Sequence, residues 1–406
     1  MTELSYQNLL LVCAVGALVP LALGLLPRLR IPSVVVEIGA GIVIGPAVLG
    51  WVEADTPVVV LSWLGLTFLL FLAGLEIEPQ RLKGSLGRAA GIGYLFSLLL
   101  AAPLALAVAA LGWVDDPALL AIILSTTALG LVVPVIKDSG TTSGPFGQAV
   151  IVGATVADVG AILLLSVLFG AEGGPGTRSG LLITFALVVV VLTAALGLSA
   201  RWTYLQRVIV SLQETTAQIR VRLAVVLLVG LTALASGFGL ETILGAFVAG
   251  VVISVLDREG GQHPHFRPKL EAVGFGLLIP IFYVTTGLQL DISGLLSDGE
   301  ALLRVPVFLV LILLVRGIPA VLYRRELGTR QTAAAGLLQA TSLPFIVAAT
   351  QVGLELDLIE PATATGLVSA GVLSVALFPV LAFTILRTAP AESDNTSREH
   401  SQLKVD

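Results

Sequence analysis

The stretch FGQAVIVGATVADVGAILLLSVLFG, residues 146–170, decides the fold. It is long enough to cross a bilayer, whose hydrocarbon core takes about 20 apolar residues. In its middle stands a single carboxylate, Asp158. A charge near the bilayer centre costs roughly 2.5–3.5 kcal/mol on the insertion scale, so residues of this kind line ion or proton pathways. A second such charge, Arg316, lies in LLRVPVFLVLILLVRGIPAVLY, residues 302–323. Asp158 and Arg316 are the one acid and the one base that the sequence places well inside apolar spans.

Composition extends this reading to the whole chain. Of 406 residues, 56% are hydrophobic and 12% are charged, against about 25% charged in a soluble domain. Cys13 is the sole cysteine, which excludes an intrachain disulfide and a Cys-cluster metal site. His263, His265 and His400 fall in loops or the tail, which argues against a His-ligated metal within the membrane. An intramembrane protease would need a second intramembrane aspartate, a Ser–His pair or HExxH, and none is visible. The sequence therefore offers no catalytic residues, calls for no cofactor and has no nucleic-acid signature. Its N-terminus, MTELSYQN, lacks the basic residues of a cleavable signal, so the first apolar run reads as a retained span.

Thirteen apolar segments follow one another, centred near Leu18, Gly41, Leu66, Leu99, Ala128, Asp158, Val188, Val229, Gly250, Pro280, Leu311, Thr341 and Leu373. Lys and Arg sort between the two sets of connections. With the C-terminal tail, one set holds 19 of the 22, the other holds Arg178 and Arg304, and Arg316 lies within a span. By the positive-inside rule the N-terminus is outside and the C-terminus cytoplasmic. The expectation is an all-α polytopic membrane protein over residues 1–390 with a polar cytoplasmic tail at 391–406.

Two halves are legible in it. GLEIE at Gly74 returns as GLQLD at Gly287, and AGIVI at Ala40 as AGVVI at Ala249. STTALGLVVPVI from Ser125 in the fifth span matches ATSLPFIVAAT from Ala340 in the twelfth. Repeat one spans about 7–170, a linker span about 180–222 and repeat two about 222–387. With an odd span between them, the six-helix halves insert in opposite senses and form an inverted repeat, as in many secondary transporters. The fifth and twelfth spans each join a hydroxyl cluster (Ser125, Thr126, Thr127; Thr341, Ser342) to a proline, Pro134 or Pro344. Proline removes a helical hydrogen bond, and irregular backbone at membrane depth is tolerated where protein or a wet cavity covers it. Two crossed, broken helices therefore predict a midplane site whose oxygens suit an alkali cation. The connection RWTYLQRVIVSLQETTAQIRVR from Arg201 reads as an amphipathic helix on the inner surface. The His-Pro-His loop at His263 and the tail read as solvated.

At this point the chain resembles the cation:proton antiporter superfamily, in the branch of the Kef-type and NapA-type exchangers. The resemblance rests on PSVVVEIGAGIVIGPAVLG from Pro32, GLTFLLFLAGLEIEPQRLKG from Gly65, the Asp158 span and IPIFYVTTGLQLDIS from Ile279. It implies a NapA-like antiporter fold of about 13 transmembrane helices in two inverted repeats. It further implies a homodimer in a prokaryotic plasma membrane, exchanging Na⁺ or K⁺ for H⁺. Spans four to six and eleven to thirteen would move against spans one to three and eight to ten. The family's ion-binding carboxylate maps onto Asp158, its crossing-helix threonines onto Thr126 and Thr127, and its charge-compensating base onto Arg316. Ser125, Thr341, Ser342 and Glu37 are possible supporting residues, while Glu76 and Asp291 lie near span ends.

The sequence departs from the family pattern in three places. Ala157 stands where relatives commonly carry Asp, Asn or Gln. The base is Arg where NapA-like relatives use Lys. The segment SLPF, residues 342–345, replaces an acidic Gly-Glu-Phe of Kef-like relatives, and the nucleotide-binding domain those relatives append is not seen, so regulation by NAD is not expected. Arginine keeps its proton in a protein, which leaves Asp158 as the one carrier of exchanged charge and predicts one proton per cation. A sodium-coupled solute symporter and a non-transporting membrane sensor remain as alternatives.

Overall fold

The computed structural model describes residues 6–387 apart from 26–31, 78–79, 81, 83, 139–140, 143, 171–174, 200–214, 216, 260–264 and 298. Most of the expected inner-surface helix after Arg201, the His263 loop and the polar tail lie outside the described residues.

Apolar length produces the architecture. The first half contains α1 (Tyr6–Leu25), α2 (Ser33–Ile44), α3 (Thr56–Leu75), α4 (Ser85–Ala110), α5 (Pro117–Leu124), α6 (Leu129–Asp138) and α7 (Pro145–Phe169). The linker span is α8 (Pro175–Ser199). The second half contains α9 (Ile219–Gly237), α10 (Thr242–Glu259), α11 (Phe266–Val273), α12 (Ile279–Gln289), the short α13 (Ile292–Ser297), α14 (Gly299–Gly317), α15 (Arg324–Gln339), α16 (Pro344–Glu355) and α17 (Pro361–Arg387). Ten helical stretches are long and apolar enough to cross a membrane, one of which, Gly299–Glu355, holds both α14 and the α15–α16 pair. Dividing that stretch adds one segment and the shorter Ser33–Ile44 and Thr242–Asp257 add two. The described residues thus contain the thirteen segments expected.

Local chemistry sets several boundaries. Asp55 caps α3 by accepting from Val58 N–H at 3.2 Å, with a proline in the first turn. Asp116 accepts from Ala118 and Leu119 N–H at 2.7 and 3.1 Å and starts α5. Both satisfy amides that a helix start leaves unpaired.

The helices assort into two groups. In one, α2 packs on α12 and α3 on α10, with α1, α9 and α11 around them; in the other, α4, α5, α7, α14, α15, α16 and α17 pack together. The recurring motifs meet at the crossings of the first group. A methyl on Gly41 would overlap the Val284 carbonyl, and one on Gly287 the Ile38 carbonyl. Likewise Gly74 is pressed on the Phe247 carbonyl and Gly250 on the Phe71 carbonyl. Each crossing joins a helix of one repeat to a helix of the other, so the glycines let the halves interlock. Backbone approach of this kind is how membrane helices gain packing without a hydrophobic driving force between them.

Both expected helix breaks are present at the hydroxyl clusters, and a proline adjoins the second of them. Residues 125–128 separate α5 from α6, and Pro134 lies inside α6 rather than at the break. Residues 340–343 separate α15 from α16, with Pro344 in the first turn of α16. The hydroxyl residues, whose side chains bond local backbone carbonyls, form the interruptions themselves. The π-helical turn Gly274–Leu278 and the 3-10 turn Ile318–Tyr323 were not foreseen.

Candidate functional site

The two interruptions cross in the buried centre of the second group. Ala128 N–H donates to the Thr341 carbonyl at 2.8 Å, and the Thr126 and Ser342 hydroxyls lie 2.6 Å apart. Thr127 donates its hydroxyl hydrogen to the Gln339 carbonyl. Two segments with interrupted helical bonding thus satisfy one another, as backbone in a membrane must.

Asp158 lies against this crossing and is 7% exposed. Its Oδ2 accepts from Leu129 N–H at 3.1 Å, the first residue of α6. That amide has no partner within its own helix, and the positive end of the helix dipole favours an anion there. A cavity of about 20 Å³ touches Asp158, Thr127 and Gly130, with Leu69, Phe247 and Phe345 among its walls. It has room for about one water-sized particle.

Arg316 makes no direct ion pair with Asp158, so any compensation of that charge acts through space. Its guanidinium, 2% exposed, donates from Nε to Thr127 Oγ1 at 2.9 Å and from Nη1 to Ser97 Oγ at 2.9 Å. A longer bond of 3.4 Å runs from Nη2 to the Gly153 carbonyl. The planar fork of donors ties α4, α7 and the first break together, so its charge reaches Asp158 through space.

The remaining site residues are distributed unevenly. Thr127 and Asp158 share the cavity, whereas Thr126 faces Ile123 O and Ser342. Ser125 bonds Ile122 O at 2.9 Å and lies 3.3 Å from the Tyr94 hydroxyl. Thr341 bonds Leu337 O, and its own carbonyl receives Ala128. Glu37 is buried on α2, in the first group of helices, and is not brought to the Asp158 cavity. Among the described residues no three His, Cys, Asp or Glu side chains cluster to hold a metal.

Ser97 and Ser374 escaped sequence reasoning. Ser374 occupies in α17 the position, counted from the leading proline, that Asp158 occupies in α7. Its hydroxyl meets Ser342 N–H at 3.1 Å and the Ser342 carbonyl at 3.0 Å. Extending the repeat by the 216 residues that separate Thr126 from Ser342 leads from Asp158 to it. One repeat therefore places a carboxylate beside its broken helix and the other a neutral hydroxyl.

Two crevices approach from opposite ends, between the helix groups. One, of about 110 Å³, is lined by Glu76, Lys137, Thr142, Thr155 and Arg267 and reaches Thr155, one helical turn before Asp158. The other, of about 20 Å³, is lined by Ser62, Thr286, Gln289 and Gln351 among others.

The family model "Sodium/hydrogen exchanger, transmembrane" matches residues 14–388. The putative Na(+)/H(+) antiporter YjbQ of Bacillus subtilis is 32% identical over 403 residues, covering 94% of this chain and 63% of that protein. The glutathione-regulated potassium-efflux system protein KefC of Klebsiella pneumoniae is 27% identical over 400 residues, covering 95% of this chain and 61% of that protein. The chain thus spans somewhat under two thirds of both relatives. The solved structure of the sodium proton antiporter MjNhaP1 from Methanocaldococcus jannaschii shares the fold, with a TM-score of 0.64 at 18% identity over 93% of this chain and 96% of that one. The chain belongs to the transmembrane sodium/hydrogen exchanger family.

Proposed function

We propose that this chain exchanges a monovalent cation, Na⁺ or K⁺, for H⁺ by alternating access, electroneutrally, with Asp158 as the shared site. The observation that carries this reading is the placement of Asp158. It is the buried carboxylate beside the crossed helix breaks, between two crevices that approach from opposite ends. The names of the relatives, antiporters of Na⁺ and a K⁺-efflux protein, support the class of cargo.

The chemistry is competition. Protonated, Asp158 is neutral; ionised, it holds the cation, with Thr127 and freed backbone oxygens of the break as further hard ligands. Arg316 keeps its charge throughout, so the proton-loaded and cation-loaded forms carry the same net charge, and one-for-one exchange moves none. The empty carboxylate has no ion-pair partner in Arg316, and burying it bare is costly, so the loaded forms are those that cross. Movement of α4–α7 and α14–α17 against α1–α3 and α9–α12 would open one crevice and close the other.

We place the protein in a prokaryotic plasma membrane as a homodimer, with the Lys137 end cytoplasmic. The sorting of Lys and Arg and the family resemblance support this. Of the alternatives, a symporter of organic solutes fits less well, since about 20 Å³ beside Asp158 admits an ion or a water and organic ligands fill pockets of roughly 300–1,000 Å³. The test is dequenching of a pH-sensitive dye in inside-out vesicles on adding Na⁺, K⁺ or Li⁺. Cation-dependent dequenching that is lost in Asp158→Asn is expected. No response to any cation over a broad pH range would favour the sensor or symporter, and a response surviving in the variant would put the site elsewhere.

A further inference from the structure

The two crevices differ in charge. Among the described residues, the larger one carries three ionic side chains, Glu76, Lys137 and Arg267. The smaller one is lined by hydroxyls, amides and apolar groups, with no charged side chain among its described lining. Lys137 Nζ lies 3.3 Å from Glu76 Oε1 and joins α6, which packs on α7 of one helix group, to the end of α3, in the other. The side chains are 53% and 25% exposed, so this pair sits at a wet mouth. Arg267 Nε lies 3.9 Å from Asp257 Oδ2, and Arg220 Nη1 4.0 Å from Asp257 Oδ1, so Asp257 offsets part of that arginine charge.

A cation bound for Asp158 from this end must pass a tethered ammonium. It must also compete with that ammonium for Glu76, the described carboxylate lining the crevice. The repeat does not reproduce this arrangement at the other end. The position that corresponds to Lys137, by the separation of Thr126 from Ser342, is Gly353 on α16. The halves are alike in fold and unlike in the charge they present to an arriving ion.

We infer that Lys137 lowers the apparent cation affinity of the exchanger at its own face and leaves the opposite face untouched. Two effects act in the same direction. The ammonium repels the arriving cation through a partly aqueous crevice, and it occupies Glu76, which would otherwise concentrate cations at the mouth. A unit charge about 10 Å from the path, screened by water, shifts local cation concentration by about two- to five-fold. The effect fades as the Debye length falls from about 20–30 Å at low salt to several ångströms at high salt. The consequence is a sided exchanger, whose KM for cation is higher at the Lys137 end than the shared site alone would make it.

This inference rests on the exchange reading, and wild-type flux separates the two. The experiment measures cation KM with vesicles of both orientations, at about 20 mM and about 500 mM ionic strength set with an impermeant organic salt. The variants are Lys137→Gln, Lys137→Arg and Glu76→Gln; the exposure of Lys137 makes its substitution safe for folding. Lys137→Gln is expected to lower KM about two- to five-fold at the Lys137 face, at low ionic strength and not at high, with no change at the other face. Lys137→Arg should match wild type, and Glu76→Gln should raise KM. A merely structural bridge would shift Lys137→Gln and Glu76→Gln in the same direction. That result, equal shifts at both faces, or no shift in Lys137→Gln, would overturn the inference. Absence of wild-type flux would instead overturn the exchange reading and this inference with it.

Discussion

Arg316 donates to Thr127 at 2.9 Å and makes no ion pair with Asp158, although these two charges stand alone at depth in the sequence. The arginine holds the crossing together, and Asp158 is left bonded to a helix N-terminus, where on the proposed exchange an ion or proton would find no permanent rival.

Removing Arg316 should therefore harm the fold before it harms the chemistry. Arg316→Ala removes the guanidinium donor from Thr127, Ser97 and Gly153 O, at about 1 kcal/mol per lost bond and more where the group stays unsatisfied. The expected result is a melting temperature in detergent well below wild type. Arg316→Lys should fall between the two, since an ammonium keeps the charge without the fork that spans three partners. Equal melting temperatures for Arg316→Ala and wild type would show that the three bonds contribute little.

The contact between Thr126 and Ser342, 2.6 Å across the two breaks, predicts strong coupling. Thr126→Val strands the buried Ser342 hydroxyl at about 1–3 kcal/mol, Ser342→Ala leaves Thr126 bonded to Ile123 O and costs less, and the double substitution removes both groups together. The double variant should be destabilised by less than the sum of the singles in a thermal double-mutant cycle. Simple additivity would mean that the two halves are not joined there.

The glycine crossings predict a steric penalty that side-chain rearrangement cannot relieve. Gly250→Ala would press a methyl into the Phe71 carbonyl, so α3 and α10 must separate. Overpacking of this kind costs about 1–3 kcal/mol, read as a lower melting temperature. Gly230→Ala, on a helix position with open space beside it, is the control and should be close to neutral.

Glu241, in the turn between α9 and α10, gives a pH prediction. Burial first, then the neighbouring Glu355, pushes its carboxyl up to about 7, with Arg178 pulling the other way. The folded protein then holds a proton that the unfolded chain releases between about pH 4.5 and 7. Stability contributed by that proton is present below this window and lost as pH rises through it. Glu241→Gln should flatten the fall in melting temperature from pH 5 to 8, and an unchanged slope would assign it to other groups.

Much of this was legible in the sequence because hydropathy and small residues carry it. Thirteen apolar segments needed only length, and the AGIVI/AGVVI and GLEIE/GLQLD motifs recur because Gly41, Gly74, Gly250 and Gly287 all need backbone contact. Asp158 was visible because its burial contradicts its charge. The direction in which Arg316 points was not, since a span position says nothing of which neighbours offer oxygens. Proline marked the second break, at Pro344, and not the first, because Pro134 lies within α6; the hydroxyl residues hold the crossing. Ser374 was hidden by being an ordinary serine in an apolar helix. The Lys137–Glu76 bridge joins residues 61 apart in connections that look merely solvated.

The central claim, that one carboxylate holds either a proton or a cation, is tested most directly by proton release. Purified protein in weakly buffered detergent is titrated with Na⁺ or K⁺ while released H⁺ is counted. Wild type should release up to one proton per protomer, with a maximum below the pH at which the ion-free site is half protonated, and Asp158→Asn none. Release undiminished in Asp158→Asn, or close to two protons per protomer in wild type, would contradict the account.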